Sequence, residues 1–309
     1  MSAKYLVTGG AGFIGSNIVE RLVKRGDRVR VIDNFVAGRY ENLAGVRKDV
    51  DLIRGDIRNL ATVEKAVRGI DYVIHQAAFR SVPKSVESPT LCNESNVTGT
   101  LNILLASRAA GVKRVVNASS SSVYGDAERF PQREDFLPNP ISPYAVSKLA
   151  AEYYCRMFSA TYGLETVSLR YFNVFGPRQN PESKYSAVIP AFIEIMVKGK
   201  RPCVDGTGKQ LRDFTFVSNV VDANLAAALA KNASGAVINV GCGDSNSVLD
   251  IIKNLNSFLG TKIKPVFGPA RRGDVRKTQA DIGRLKKILG LTPQVQFKEG
   301  LEKTLAWFR

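Results

Sequence analysis

The chain has 309 residues, 44% hydrophobic and 23% charged, with a formal net charge of +16 at neutral pH. This is ordinary globular usage, so a disordered or fibrous protein is excluded and a core of one or two lobes is expected. A single histidine, His75, excludes a multi-histidine metal centre, and the four cysteines Cys92, Cys155, Cys203 and Cys242 form no CxxC pair, so no metal and no disulfide framework are expected.

The positive excess attracts polyanions. Basic residues are nevertheless interleaved with acids, with no block of five like charges and no basic-aromatic module. An anionic small-molecule substrate is therefore expected and nucleic acid is not. No run approaches the ~20 apolar residues that cross a bilayer. The start MSAKYLVTGG leads straight into a strand without a leader pattern, so a cytoplasmic protein with no membrane partner is expected.

In chain order, Lys4 to Thr8 reads as a buried strand, Ser16 to Arg25 as an amphipathic helix stopped by Gly26, and Arg28 to Ile32 as a second strand ending at Asp33. Further strands are predicted at Asp51 to Arg54, Tyr72 to His75, Arg114 to Ala118 and Thr166 to Arg170. Gly111 and Gly163 read as helix stops. A helix with Pro143 in its first turn is predicted to run to Tyr162. The alternation implies an α/β fold with a doubly wound parallel sheet. From about Tyr171 the rhythm is less regular, with loops at PRQNPESKYS, DGTGKQ and FGPARRGD. Residues 1–170 are assigned to a nucleotide-binding lobe, to which later segments return, and 171–309 mainly to a smaller α/β substrate lobe.

Gly9, Gly12 and Gly15 of TGGAGFIG, with Phe13 and Ile14 between them, follow the first strand and open the first helix. There, backbone N–H groups can meet a pyrophosphate, and glycine allows the tight turn and the close approach. Asp33 lies about 20 residues further on and can accept from the adenosine ribose hydroxyls, which favours NAD over NADP, although Arg39 stands nearby. Against this, a lone Gly-rich string is weak and Asp33 alone could be a solvated turn residue.

Tyr144 and Lys148 stand four apart at the start of the predicted helix, so both lie on one face. A phenol with a usual pKa near 10 needs roughly 4 kcal/mol of stabilisation to act as a base at pH 7, and an ammonium beside it can contribute. Of the ten tyrosines, only Tyr144 has a lysine four residues on. Upstream, ASSSSVYG follows a strand end where hydroxyls can meet a ligand, although a serine run alone is more often a solvated loop.

Together TGGAGFIG, HQAA at His75 to Ala78, SSSSVYG and YAVSK resemble the extended short-chain dehydrogenase/reductase family (Rossmann fold). The likeness continues through RYFNVFGPRQ, LRDFTFV and RRGDVRKTQAD and is closest to UDP-glucose and UDP-N-acetylglucosamine 4-epimerases. The resemblance implies Tyr144 as proton acceptor, Lys148 on the nicotinamide ribose and Ser120 on the sugar 4-hydroxyl. It places Asn34 at the cofactor, Asp56 and Ile57 by the adenine, and Gln76, Ala77, Ala78 and Tyr171 along the dinucleotide. It places Ser81, Asn173, Val188, Val204, Arg212, Arg271 and Asp274 around the UDP-sugar. The implied reaction is oxidation at C4 to a 4-keto sugar, turnover of the ring, and reduction from the opposite face. A homodimer through the Tyr144 helix and a helix from about Asn96 to Ala110 is also implied.

Thr278 matches a position where a tyrosine accompanies glucose and galactose and a small residue admits a 2-acetamido group. SVPKS and YSAVIP also resemble epimerases of N-acetylated sugars, so UDP-GlcNAc/UDP-GalNAc is the expected pair, with UDP-Glc/UDP-Gal alongside. Two competing readings are a 4,6-dehydratase or decarboxylase of the same family and a non-catalytic NAD-binding scaffold. The first generally needs an acid just before VYG, where this chain has Ser121 and Ser122. The second leaves the Ser-Tyr-Lys set without a purpose.

Overall fold

The computed structural model describes residues 2–181, 188–270 and 275–309. Six strands, β1 (Lys4–Thr8), β2 (Arg28–Asp33), β3 (Val50–Arg54), β4 (Tyr72–His75), β5 (Arg114–Ser120) and β6 (Glu165–Tyr171), lie parallel in the order 6-5-4-1-2-3. A seventh, Ala236–Val240, joins parallel to the free edge of β6. Helices cover both faces, as a parallel sheet of near-continuous Val, Leu and Ile runs requires.

The helices used below are α1 (Phe13–Lys24), α2 (Leu60–Val67), α3 (Val82–Glu87), α4 (Pro89–Asn93), α5 (Gly99–Ala109) and α6 (Pro143–Tyr162). Strands β1 and β4 and helix α6 have the predicted bounds. Helix α1 begins three residues early because Gly12, rather than a side-chain cap, starts it. Strands β5 and β6 each extend beyond the predicted end, which carries Ser120 and Tyr171 to the edge of the sheet. The helix expected from Asn96 is entered through a wider π turn at Glu94–Thr98, so α5 proper begins at Gly99.

Ser142 caps α6 by accepting from the Ala145 N–H at 3.2 Å, and Gly163, at φ 71°, ends it. The strand order reverses between β1 and β4, opening the crevice where an open parallel sheet takes a ligand. Among the described residues, no helix is long and apolar enough to cross a membrane.

Candidate active site

The turn from β1 to α1 is packed for glycine. Gly9 has φ +66°, and a Cβ there would stand 2.7 Å from the Ala77 backbone nitrogen. A Cβ on Gly15 would fall 2.2 Å from the Gly9 oxygen. Gly12 caps α1 without any side-chain hydrogen bond, so the helix presents backbone donors to an anion rather than to its own cap. Phe13 and Ile14 pack on the core beneath.

Asp33, at the carboxyl end of β2, accepts from Ala11 N at 2.9 Å and Phe35 N at 2.8 Å. Burial pushes its pKa up and those two N–H groups hold it down. One backbone donor lies on each carboxylate oxygen, and each oxygen keeps a lone pair for a further donor. Asn34 is exposed and donates to Asp56 at 3.0 Å. Asp56 is drawn down to about 2, against its burial, by hydrogen bonds from Arg58 and Asn34. Ile57 is buried, and its carbonyl accepts from Asn102 at 3.0 Å. These groups form a consistent cradle for a dinucleotide: a close-packed turn, a helix amino end and an acid at the end of the second strand.

Beyond β4, Gln76 donates to the Tyr171 hydroxyl at 2.9 Å and to Asn224 at 3.1 Å, and the Tyr171 hydroxyl donates to the same Asn224 oxygen. Asn224 lies on helix Val217–Leu229, and no sequence signal marked it. The neighbouring Ala77 N–H donates to Thr8 at 3.0 Å, and Ala78 follows it in the same segment. Thr8 in turn meets His75 Nδ1 at 2.7 Å, while His75 Nε2 lies 3.0 Å from Thr100, whose hydroxyl donates to the Asn96 carbonyl. With the Thr100 proton committed to Asn96, His75 donates at Nε2, and with its pKa lowered it is neutral, leaving Nδ1 to accept from Thr8. Burial, with Lys148 nearby, pushes its pKa down to about 3.

At the carboxyl end of β5, Ser120 Oγ accepts from the Ser122 N–H at 3.2 Å and from the Ser122 hydroxyl at 2.9 Å. Its own proton stays available, and Ser120 lies close enough to Tyr144 to oppose the burial that raises the phenol pKa. Lys148 Nζ donates to the Ala118 carbonyl at 2.8 Å and lies 5.9 Å from the Tyr144 ring centroid. The three expected groups therefore meet. Their electrostatics differ from the simple expectation of a lysine-lowered phenol: burial raises the Tyr144 pKa, opposed by Ser120 and Arg80, and lowers that of Lys148 to about 8. Arg80 was not singled out from sequence. Asn96 was not either, although its side chain holds Phe79 N, Phe79 O and Ser147 at 2.7, 2.9 and 2.9 Å.

On the other flank, Ser81 caps α3, accepting from Lys84 N at 3.3 Å. Thr278 is 7% exposed; its hydroxyl donates to Asn173 Oδ1 at 3.1 Å and accepts from Asp213 N at 3.1 Å. Asp213, next to the buried Arg212, accepts from Cys242 N, Gly243 N and Ala280 N at 2.8, 2.9 and 3.0 Å, tying three loops together. Val188 opens helix Val188–Val197 at the edge of the core. Val204 is fully buried in the strand Cys203–Asp205. Arg271 and Asp274 lie outside the described residues.

Residues 5–241 match the NAD dependent epimerase/dehydratase family. The chain belongs to this family. Its members depend on NAD, which the cradle just described fits, so this epimerase/dehydratase-family enzyme takes NAD as its cofactor. It is similar to UDP-glucose 4-epimerase of Mycolicibacterium smegmatis, 37% identical over 98% of each chain. It is also similar to a UDP-N-acetyl-alpha-D-glucosaminuronate decarboxylase of Bacillus cytotoxicus, 35% identical over 100% of this chain and 98% of that one. The solved UDP-N-acetylglucosamine 4-epimerase of Methanobrevibacter ruminantium M1, in complex with UDP-N-acetylmuramic acid, superposes with TM-score 0.95 at 38% identity. That match covers 100% of this chain and 99% of the other.

Proposed function

We propose that this enzyme interconverts UDP-hexoses at C4, with UDP-GlcNAc and UDP-GalNAc as the preferred pair and UDP-Glc and UDP-Gal accepted beside them. The observation that carries the reading is the convergence of Ser120, Tyr144 and Lys148 at one sheet edge, with serines rather than acids at positions 121 and 122. NAD, when bound in the cradle of the β1–α1 turn and Asp33, would supply the hydride acceptor for C4. Tyr144 takes the proton of the 4-hydroxyl and later returns it, while Ser120 donates to the phenol and steers the hydroxyl toward it. Lys148, fixed by the Ala118 carbonyl, supplies positive charge that favours the phenolate against the burial that disfavours it. Without an acid before VYG, elimination between C5 and C6 has no evident proton donor.

Residues 171–309 form most of the sugar-nucleotide side in this reading, with Arg212 toward the diphosphate and Thr278 beside the 2-substituent; the assignment of Arg271 rests on the family resemblance. The small Thr278 side chain, next to Asn173, supports room for an acetamido group. Assay of all four UDP-sugars side by side tests the proposal. Tyr144→Phe should lower kcat by at least ~10³ while UDP still binds. Near-normal turnover in that variant, or release of CO₂ from a UDP-uronic acid by the unaltered enzyme, would overturn it.

The same reading includes a homodimer through α5 and α6. Leu105, Val146 and Tyr153 on these helices are 41%, 53% and 55% exposed, an apolar set that a second copy would cover. Light scattering at micromolar concentration should give twice the 33.7 kDa chain mass. A monomer would refute it.

A further inference from the structure

Three successive residues at the end of β5 face α6. The Ala118 carbonyl accepts from Lys148, the Ser119 hydroxyl donates to Glu152, and Ser120 lies close enough to Tyr144 to draw its pKa down. The helix residues 144, 148 and 152 stand four apart, so a single face of α6 carries all three contacts. The first two belong to the proton-transfer machinery, and the third has no role yet.

Glu152 is 2% exposed and pairs in bidentate fashion with Arg170 of β6, Nε at 2.9 Å and Nη2 at 2.7 Å. Arg170 in turn lies over the Tyr124 ring, 4.7 Å from its centroid, and Tyr124 donates to Asn239 at 2.7 Å. A buried ion pair contributes little stability that a well-packed apolar pair would not match. Its place one turn beyond the lysine therefore points to an effect on the lysine.

We propose that Glu152, held by Arg170, is a positioning residue for proton transfer: it fixes the end of β5 against α6 and sets a carboxylate one helical turn beyond Lys148. This rests on the epimerase reading above. The groups around Lys148 are neutral His75 from β4, Cys92 from α4, and Tyr144, Cys155 and Glu152 on its own helix, with Arg170 of β6 beyond the acid. Of those acting on its charge, Glu152 is the carboxylate. Burial leaves Lys148 near 8, within reach of losing its proton in mild alkali, and the Glu152 charge opposes that loss.

Glu152→Gln keeps an acceptor for Ser119 and removes the charge. The alkaline limb of kcat/KM for UDP-GlcNAc should move down by about one pH unit, with KM changed by no more than about twofold. The ¹³Cε NMR titration of Lys148, recorded without substrate, should move by the same amount. Glu152→Gln/Arg170→Gln removes both charges and relieves the unpaired arginine, so stability should recover while the limb remains below that of the wild type; this variant also serves if the single one does not fold. Unchanged limb and NMR titration in the folded variants, or full recovery of the profile along with stability, would overturn the proposal. Turnover surviving in Tyr144→Phe would instead bring down the epimerase reading itself.

Discussion

Adding one methyl group to each of four glycines separates the costs that the β1–α1 turn imposes. Gly26→Ala meets nothing within 4 Å, but its φ of +84° is left-handed, so it bears backbone strain alone, about 1 kcal/mol or a melting temperature lower by ~2 °C. Gly45→Ala has neither positive φ nor a neighbour within 4 Å, and should stabilise by about 0.5 kcal/mol through the unfolded chain. Gly15→Ala needs no unusual φ, yet its Cβ would sit 2.2 Å from the Gly9 oxygen, whereas ordinary contact begins at 3.4 Å. The turn must open by about an ångström, a displacement of the overpacking kind that costs roughly 1–3 kcal/mol, or ~2–6 °C. Gly9→Ala combines the strain at +66° with contacts of 2.7 and 2.8 Å to Ala77 backbone atoms, and should be the most damaging. Thermal denaturation gives the order, and the NAD content of each purified variant shows whether the turn still holds the cofactor. Loss of NAD should accompany Gly9→Ala and Gly15→Ala but not the other two. If Gly15→Ala kept full NAD and melted no lower than Gly26→Ala, the close-packed cradle would be the wrong explanation for these glycines.

Thr278→Tyr should reduce kcat/KM for UDP-GlcNAc far more than for UDP-Glc, by at least ~10-fold in the ratio; equal losses would show that Thr278 does not set the size limit. Two buried groups should shape stability against pH with opposite signs. His75, held near 3 instead of 6.5, leaves the unfolded chain binding more protons, so stability falls as pH drops below 6.5. Asp213, raised from 3.8 to about 6 by burial, makes the folded state the better proton binder, so stability rises as pH drops from 6 toward 3.8. Each slope is about 1.4 kcal/mol per pH unit, and between pH 6 and 4 they oppose. Urea titrations should therefore show that His75→Asn gains stability on mild acidification relative to the wild type and that Asp213→Asn loses it. Wild-type slopes in both variants would refute the assignment.

What could be read in the sequence follows from range. Strands such as Tyr72–His75 show themselves as β-branched or aromatic runs, and α6 shows its proline start and glycine stop, because the signals lie within a few residues of the element. The Tyr144 and Lys148 pair was visible for the same reason. Asp213 reaches Ala280 across 67 residues, Gln76 reaches Asn224 across 148, and Glu152 meets Arg170 only because α6 packs on β6. Local patterning carries none of this. The raised Tyr144 and lowered Lys148 likewise depend on burial, which a four-residue spacing does not reveal.

The strand Ala236–Val240 has a consequence for synthesis on the ribosome. It covers the open edge of β6, yet it is made roughly 65 residues later, several seconds at translation rates of ~5–20 residues per second. Through that interval the nascent sheet presents the unpaired backbone of Glu165–Tyr171 to any other strand nearby. The vulnerable moment for misassembly therefore lies between the emergence of β6 and the emergence of Val240, so slow codons within that stretch would lengthen it and a chaperone acting there would protect the enzyme most.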